Sequence, residues 1–246
     1  MRENAEDLIF PHKCIGCRKI LNVFDSEYDK MTVYCKNCRA KWERSKILPC
    51  SDCRHAAIEC SCVPELIENL TVVSLFKFGT VLEADRLVYS VKRRRLPRVY
   101  KFAAEELANR MLSYCRENAL DLSNAVVTFV PRSKRSIARY GFDHGKLLAE
   151  TVAERLGMSC AALLRRTSSK GRDQKKLSAA ERIINASHKF SFLNTTDIKG
   201  MTVLIVDDVI TTGATVGSCA GALYEGDPEK IIVLCLAKSD KVFKKK

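Results

Sequence analysis

The sequence predicts an α/β domain with a mainly parallel sheet, preceded by a small cysteine-rich module. The first observation is that eight of the twelve cysteines lie within the first 62 residues. The second is that apolar runs alternate with amphipathic stretches over 71–236, as strands alternating with helices do. A chain of 246 residues has room for two domains. Because the cysteine density changes near residue 63, we expect a metal-binding module over 1–63 and the α/β domain over 64–246.

The individual elements follow from the apolar pattern. Strands are predicted over 71–76, 125–130, 161–164, 189–192, 201–206 and 231–236, and helices over 82–92, 99–118, 145–156 and 215–224. The run 125–130 is almost wholly apolar, which is typical of a buried parallel strand, and 201–206 is the strongest strand signal. Ligands bind at the carboxyl ends of such strands, so candidate site residues are sought there.

The composition carries a large positive surplus. Lys and Arg total 42 against 29 Asp and Glu, giving a net charge of +13, which favours polyanionic partners such as nucleic acid or phosphorylated metabolites. No run reaches the ~18 apolar residues that span a bilayer. The first ten residues lack the apolar core of a signal peptide. We therefore expect a cytoplasmic protein that does not insert into a membrane.

The clustered cysteines form two candidate metal sites. Without a signal peptide the compartment is reducing, so metal ligation is favoured over disulfides. The first set has two Cys-x2-Cys pairs seventeen residues apart, the spacing of a four-thiolate zinc ribbon; the second has a Cys-x2-Cys pair, six residues and a Cys-x-Cys pair. The ligands are Cys14, Cys17, Cys35 and Cys38, then Cys50, Cys53, Cys60 and Cys62. We expect one or two structural zinc ions, with iron as the alternative metal.

The most informative segment is the end of the strand 201–206. Two carboxylates, Asp207 and Asp208, come directly after it and are suited to gripping a vicinal diol. A loop of hydroxyl residues and the start of a helix follow, and their backbone amides form a phosphate cradle. The cradle residues are Thr211, Thr212, Gly213, Ala214 and Thr215. A phosphate cradle beside a diol clamp resembles the site of the type I phosphoribosyltransferases, which bind 5-phosphoribosyl 1-pyrophosphate (PRPP).

The basic residues are concentrated in four segments. Arg86–Lys101 holds seven basic residues and no acid, and Arg132–Lys146 follows the strand 125–130, so it lies at the same sheet edge as the acidic pair. A pyrophosphate leaving group needs countercharge there. Arg165–Lys176 has the composition of a lid, and the last nine residues form a basic tail. The alternative interpretation of each run is a solvated surface.

Together these features resemble the ComF family, also called competence protein F or amidophosphoribosyltransferase-like proteins. The cysteine cluster resembles the family's zinc ribbon, and Lys92 stands where the family has a lysine-containing segment. Further matches are Val130-Pro131, Arg135, Arg139, Gly141-Phe142, Gln174, Leu177-Ser178, Arg182, Asn185 and the loop 206–215. Where the family's basic loop usually ends Arg-Gly-Phe-Asn-Gln, this chain has Tyr140-Gly141-Phe142-Asp143-His144.

The resemblance implies a bacterial, cytoplasmic PRPP-binding protein with Mg²⁺, linked to DNA uptake in competence. The implied reaction is phosphoribosyl transfer, a pentosyl transfer. In it Asp207 and Asp208 hold the ribose hydroxyls, Arg135 with Lys134 neutralises the pyrophosphate, and Lys92 contributes to substrate binding. The alternative is a non-catalytic DNA-uptake adaptor with a regulatory nucleotide site, which binds single-stranded DNA or a helicase-like ATPase.

Overall fold

The sheet at the centre of the protein is built from four parallel strands. The structure, a computed structural model, describes residues 11–21, 31–167 and 189–239. In chain order the strands are β1 (Thr71–Phe78), β2 (Ala125–Phe129), β3 (Leu164–Arg166), β4 (Phe190–Phe192), β5 (Thr202–Ile210) and β6 (Lys230–Ser239). The helices are α1 (Lys36–Ile47), α2 (Leu82–Arg93), α3 (Pro97–Asn118), α4 (Lys134–Tyr140), α5 (His144–Leu156) and α6 (Ala214–Leu223), and short 3-10 turns occupy Glu65–Ile67 and Tyr224–Gly226.

The strand order places β5 in the middle of the sheet. The order is β1-β6-β5-β2, with all three pairings parallel. Next to β2, residues 159–161 pair with Val127 through two backbone hydrogen bonds of 2.9 Å and extend the sheet by one short bridge. β3 and β4 form a separate antiparallel pair. The carboxyl ends of β1, β6, β5 and β2 therefore meet at one edge, as parallel pairing requires.

Each face of the sheet has its own apolar core. On one face β1, β5 and β6 pack with α2, α3 and α5; on the other they pack with α6, the small β3–β4 sheet and the turn Glu65–Ile67. Coverage of both faces is what an almost continuously apolar parallel strand needs. The fold class predicted from the sequence, a mainly parallel α/β domain with a cysteine-rich module in front of it, is confirmed.

The cysteine-rich module shares a core with the α/β domain. Trp42 on α1 is fully buried, and its ring lies 5.4 Å from Phe76 of β1 and 5.7 Å from Phe102 of α3. Tyr34 stacks on Trp42 and donates a hydrogen bond of 2.9 Å to the carbonyl of Glu83 on α2. Since the two parts are packed together in this way, the boundary after residue 63 stays a prediction.

Several elements differ from the sequence prediction in position or extent. The central strand continues to Ile210, so the acidic pair lies inside it, because its neighbour β6 continues the pairing to Lys238. The strand expected over 161–164 begins only at Leu164. The basic loop after β2 contains α4, which Ser133 caps by accepting a hydrogen bond of 3.1 Å from the amide of Ser136. Helix α1, rich in charged residues, was not predicted. Among the helices that the structure describes, none is long and apolar enough to cross a membrane.

Candidate functional site

Two adjacent carboxylates lie near the carboxyl end of β5. Asp207 and Asp208 are both buried, with 8% and 3% of their surface exposed. Because successive residues of a strand point to opposite faces, the two side chains enter different surroundings. The charge of Asp207 acts on Cys219 and Cys235, which belong to the core on the α6 side. Asp208 faces the helices of the other side.

Asp208 is surrounded by three donors from three different elements. Lys92 Nζ, near the end of α2, lies 3.0 Å from Asp208 Oδ1. Arg132 Nη2, in the loop after β2, donates to Asp208 Oδ2 at 2.7 Å, and His144 Nε2, at the start of α5, lies 2.8 Å from the same oxygen. Burial opposes ionisation of Asp208, but the hydrogen bond from His144 and the charges of Lys92 and Arg132 outweigh it and lower the pKa of Asp208 to about 2. Asp208 is therefore an ionised carboxylate.

Asp207 behaves in the opposite way. Burial, together with the negative charge of Asp208, raises the pKa of the Asp207 carboxyl to about 7. Its Oδ1 accepts a hydrogen bond of 2.9 Å from the backbone amide of Asp208. The pair thus combines one carboxylate that is fixed in its charge with one that exchanges a proton near neutral pH.

The predicted phosphate loop follows directly after β5. Thr211, Thr212 and Thr215 are exposed. Gly213 stands at the N-cap of α6 with φ 77°, so α6 has no side-chain cap at that position, unlike α4 and α5, which Ser133 and Asp143 cap. The amide of Ala214 donates a long hydrogen bond of 3.4 Å to Thr212 Oγ1. The first turn of α6 therefore presents backbone amides beside three exposed hydroxyls, a donor set suited to a phosphate.

Two features of the structure require a glycine at position 213. Its φ of 77° is in the left-handed region, where glycine carries no steric penalty. A Cβ there would lie 2.9 Å from the side chain of Ile67, in the 3-10 turn that precedes β1. The loop is therefore backed by a residue that follows the cysteine-rich module directly.

The structure separates the predicted basic residues. Lys92 reaches the acidic pair, whereas Lys134 and Arg135 are exposed on α4, a helix without any buried residue. Their role toward a pyrophosphate stays a prediction. Sequence reasoning missed two contacts of the site, Arg132 and His144. The signal was present for Arg132: β2 pairs with β5 from Ala125 to Phe129, so the residues just after β2 must lie beside the acidic pair.

The first cysteine cluster has the geometry of a four-thiolate site. The Sγ atoms of Cys14, Cys17, Cys35 and Cys38 lie within 4.8 Å of one another, and those of Cys17 and Cys35 are 3.7 Å apart. Tetrahedral zinc with bonds of about 2.3 Å places its sulfurs about 3.8 Å apart. A Cβ on Gly16 would come within 2.7 Å of Cys38 Sγ, so a glycine at this position leaves room for the thiol of Cys38. The cluster could bind zinc.

The second cluster has a Cys-x2-Cys turn like that of the first cluster and lies beside the sheet. Its four Sγ atoms also lie within 4.8 Å of one another, and the ligands are Cys50, Cys53, Cys60 and Cys62. In the first Cys-x2-Cys pair of each cluster, the second cysteine is followed by an arginine with a positive φ, 68° at Arg18 and 65° at Arg54. Burial opposes ionisation of the Cys50 thiol, but backbone amides, the Cys60 thiol and the charge of Lys77 lower its pKa to about 6. This cluster could bind zinc as well, as the sequence predicted.

Comparison with known proteins identifies the class of domain. Residues 143–246 match the model of the phosphoribosyl transferase domain. Over 210 residues, 83% of this chain and 90% of the relative, the chain is 27% identical to "DNA utilization protein YhgH" of Salmonella typhimurium strain LT2, and the same holds for that protein of Salmonella typhi. The protein carries a phosphoribosyltransferase-type domain. It is homologous to the ComF-like YhgH, so the family resemblance predicted from the sequence is confirmed.

Two solved structures are similar to part of the chain at low sequence identity. Glutamine phosphoribosylpyrophosphate amidotransferase from B. subtilis is 24% identical with a TM-score of 0.39, over 62% of this chain and 30% of that chain. Hypoxanthine phosphoribosyl transferase from Trypanosoma cruzi is 14% identical with a TM-score of 0.38, over 60% of this chain and 68% of that chain. This chain thus spans under a third of the amidotransferase. The predicted family block from Gln174 to Asn185, residues 168–176 of the predicted lid and residues 240–246 of the basic tail lie outside the described residues. Lys238, the first residue of the predicted tail, is not part of a solvated tail but is buried in β6, because it pairs with neighbouring strands.

Proposed function

We propose that the protein binds PRPP together with Mg²⁺ at the carboxyl edge of the sheet and transfers its phosphoribosyl group. The observation that carries the proposal is the juxtaposition at the end of β5: a buried acidic pair, then exposed threonines, then the first turn of α6. The threonines and amides of 211–215 would hold the 5-phosphate, and the carboxylates of Asp207 and Asp208 the ribose hydroxyls.

The donors around Asp208 support a second part of this proposal. The side chains of Lys92 and Arg132 remain 35% and 29% exposed, so an incoming anion can reach them. In the free protein they neutralise Asp208. As PRPP binds, they would turn to the pyrophosphate, and a ribose hydroxyl would donate to Asp208 in their place.

The chemistry then depends on charge at the leaving group. Carboxylate oxygens are ligands that Mg²⁺ accepts, so the ionised carboxylate of Asp208 fits a bound ion. Bound with PRPP, Mg²⁺ would neutralise part of the pyrophosphate charge as the C1–O bond breaks. Lys92 and Arg132, with Lys134 and Arg135 from α4, supply the chain's own countercharge to the departing group.

The test is calorimetry of PRPP with Mg²⁺ on the wild type, Asp207→Asn and Asp208→Asn. Each substitution should weaken PRPP binding by roughly 1–3 kcal/mol, the cost of a lost hydrogen bond to a charged group. The matched control is Asp227→Asn, which removes the same charge from an exposed ion pair with Lys199. It should leave PRPP binding unchanged.

Two smaller ligands separate a ribose site from a simple anion trap. Asp208→Asn frees Lys92 and Arg132, so it should bind inorganic pyrophosphate more tightly and ribose 5-phosphate more weakly. If both Asn variants bind PRPP more tightly than the wild type, the diol assignment is wrong. Release of pyrophosphate from PRPP with candidate acceptors then measures turnover.

A second candidate function is a DNA-uptake adaptor that binds single-stranded DNA. The observation in its favour is a set of exposed cations beside exposed aromatic rings: Arg93 lies over Tyr89 and Arg139 over Tyr140, at 5.6 and 5.5 Å. Aromatic rings stack on bases, and cations contact phosphates. The name of the relative, a DNA utilization protein, agrees with this function.

This candidate is tested by the salt dependence of single-stranded DNA binding. Each neutralised phosphate contributes roughly −0.7 to the log–log slope, so changing Arg93, Arg94 and Arg95 to Ala should flatten it by up to about two units. Changing Lys199 and Lys230, which are exposed at the opposite edge of the sheet, to Ala is the control. An unchanged slope would make the arginines ordinary surface residues and leave the helicase-like ATPase as the partner to examine.

A further inference from the structure

Two lysines are buried side by side at the carboxyl ends of β1 and β6. Lys77 and Lys238 are 2% and 1% exposed, and they are the two lysines that the described part of the chain buries. They are in register on neighbouring parallel strands, so their side chains lie on the same face of the sheet. Taking an ammonium group out of water costs several kcal/mol unless an opposite charge faces it, and two adjacent ammonium groups also repel each other.

Lys238 contacts the second cysteine cluster, and Lys77 lies next to Lys238. Lys238 Nζ donates hydrogen bonds to the carbonyl of Cys60 and, at 3.0 Å, to the carbonyl of Cys62, and it lies 3.7 Å from Cys60 Sγ. Lys77 is close enough for its charge to act on Cys50 and Cys60. The two ammonium groups thus approach the cluster from the sheet.

The charge of the cluster decides what these lysines can do. Four thiolates around a divalent metal ion carry a net charge of −2, which two ammonium groups balance. Four thiolates around a ferric ion would carry −1, and two disulfides would carry none. A divalent four-thiolate centre therefore balances the charge of two neighbouring ammonium groups, whereas a ferric centre or two disulfides would not.

We propose that Lys77 and Lys238 are positioning residues of the second metal centre, which neutralise its net charge and fix it to the ends of β1 and β6. This inference is independent of PRPP, since it concerns the second cysteine cluster and none of the residues assigned to the ligand. It also distinguishes the two clusters: at the first, the neighbouring Lys41 pairs with Glu83 in an exposed contact of 2.6 Å, and its cation is not committed to the thiolates.

The first experiment measures zinc in the full chain, purified under reducing conditions, for the wild type and Lys238→Met. Methionine keeps the length of the side chain and removes the charge. Loss of such an outer contact typically weakens metal binding by about 10–100-fold, so competition with a chelator should show one weakened zinc and one unchanged. Lys230→Met, an exposed position on the same strand, should leave both unchanged. Two zinc ions of wild-type affinity in Lys238→Met would overturn the proposal.

The second experiment separates charge balance from ordinary packing and remains decisive if Lys238→Met is poorly folded. Lys238→Met is combined with Cys50→Ser and Cys60→Ser, which remove the second centre. With the metal present, the lysine is needed, and its loss should lower the melting temperature. Without the metal, the lysine is a buried charge that lacks its counterion, and its loss should raise the melting temperature. A decrease of the same size in both backgrounds would overturn the proposal.

Discussion

Charged groups are buried at two places along the carboxyl edge of the sheet, beside the second cysteine cluster and beside Asp208. The cations at these two places differ in how much of their surface is exposed to solvent. Beside the second cysteine cluster, Lys77 and Lys238 are almost fully buried. Beside Asp208, the side chains of Lys92 and Arg132 keep about a third of their surface exposed. Sealed cations need a permanent counterion and hold a structure together, whereas half-exposed cations can exchange a carboxylate of the chain for an anion of a ligand.

The largest expected effect comes from metal removal. A structural four-thiolate zinc contributes on the order of 10 kcal/mol to folding, which is comparable to the whole stability of a domain. Because Trp42 shares its core with Phe76 and Phe102, a strong chelator should destabilise the α/β domain as well as the cysteine-rich module. Hydrogen exchange should show lost protection in β1 and α3, and added zinc should restore it. Unchanged protection of these elements would show that the module folds separately.

The next largest expected effect is on the stability of the fold, which Asp207→Asn and Asp208→Asn should change in opposite directions. Asp208→Asn leaves Lys92 and Arg132 without their carboxylate and should lower the stability at pH 7 by roughly 3 kcal/mol. Asp207→Asn removes a carboxyl that burial keeps from ionising, and its amide oxygen can still accept from the amide of Asp208. It should raise the stability at pH 8 by roughly 1–2 kcal/mol. Denaturant titration with zinc present measures both.

The dependence of these differences on pH follows from the two pKa values. Asp208, lowered to about 2, stabilises the fold above the unfolded pKa near 4, so the deficit of Asp208→Asn should shrink as the pH falls below about 4. Asp207, raised to about 7, keeps its proton in the folded state between about pH 4 and 7, so wild-type stability falls through this window. The gain of Asp207→Asn should grow from pH 4 to 7. Equal effects of the two variants at every pH would contradict the opposite environments.

The sequence was sufficient for those features that depend on local pattern. Apolar runs predicted the four parallel strands, and cysteine spacing predicted both clusters, since a knuckle is formed by neighbouring residues. The limits of β5 were missed because its pairing with β6 carries two carboxylates into the strand. The burial of Lys238 was invisible for the same kind of reason, since its partner Cys60 is 178 residues away in the chain.

The contacts of Asp208 show the same limit at the candidate site. Lys92, Arg132 and His144 come from three elements, and the packing of α2 and α5 on β5 brings them to one carboxylate. The family pattern directed attention to Arg135, which the turn of α4 carries to the surface. The sequence can thus place a basic segment at an edge of the sheet. Which of its side chains contacts the buried carboxylate depends on the residue at which α4 begins.

The burial of Lys77 and Lys238 also limits how far the protein can be shortened. A fragment that starts at residue 64, where the composition changes, keeps Ile67 behind the phosphate loop but loses Cys60 and Cys62. Lys77 and Lys238 would then lie at the end of a parallel sheet without the second cysteine cluster beside them. For expression, crystallisation or fusion to another protein, the smallest useful unit therefore includes both cysteine clusters together with the sheet.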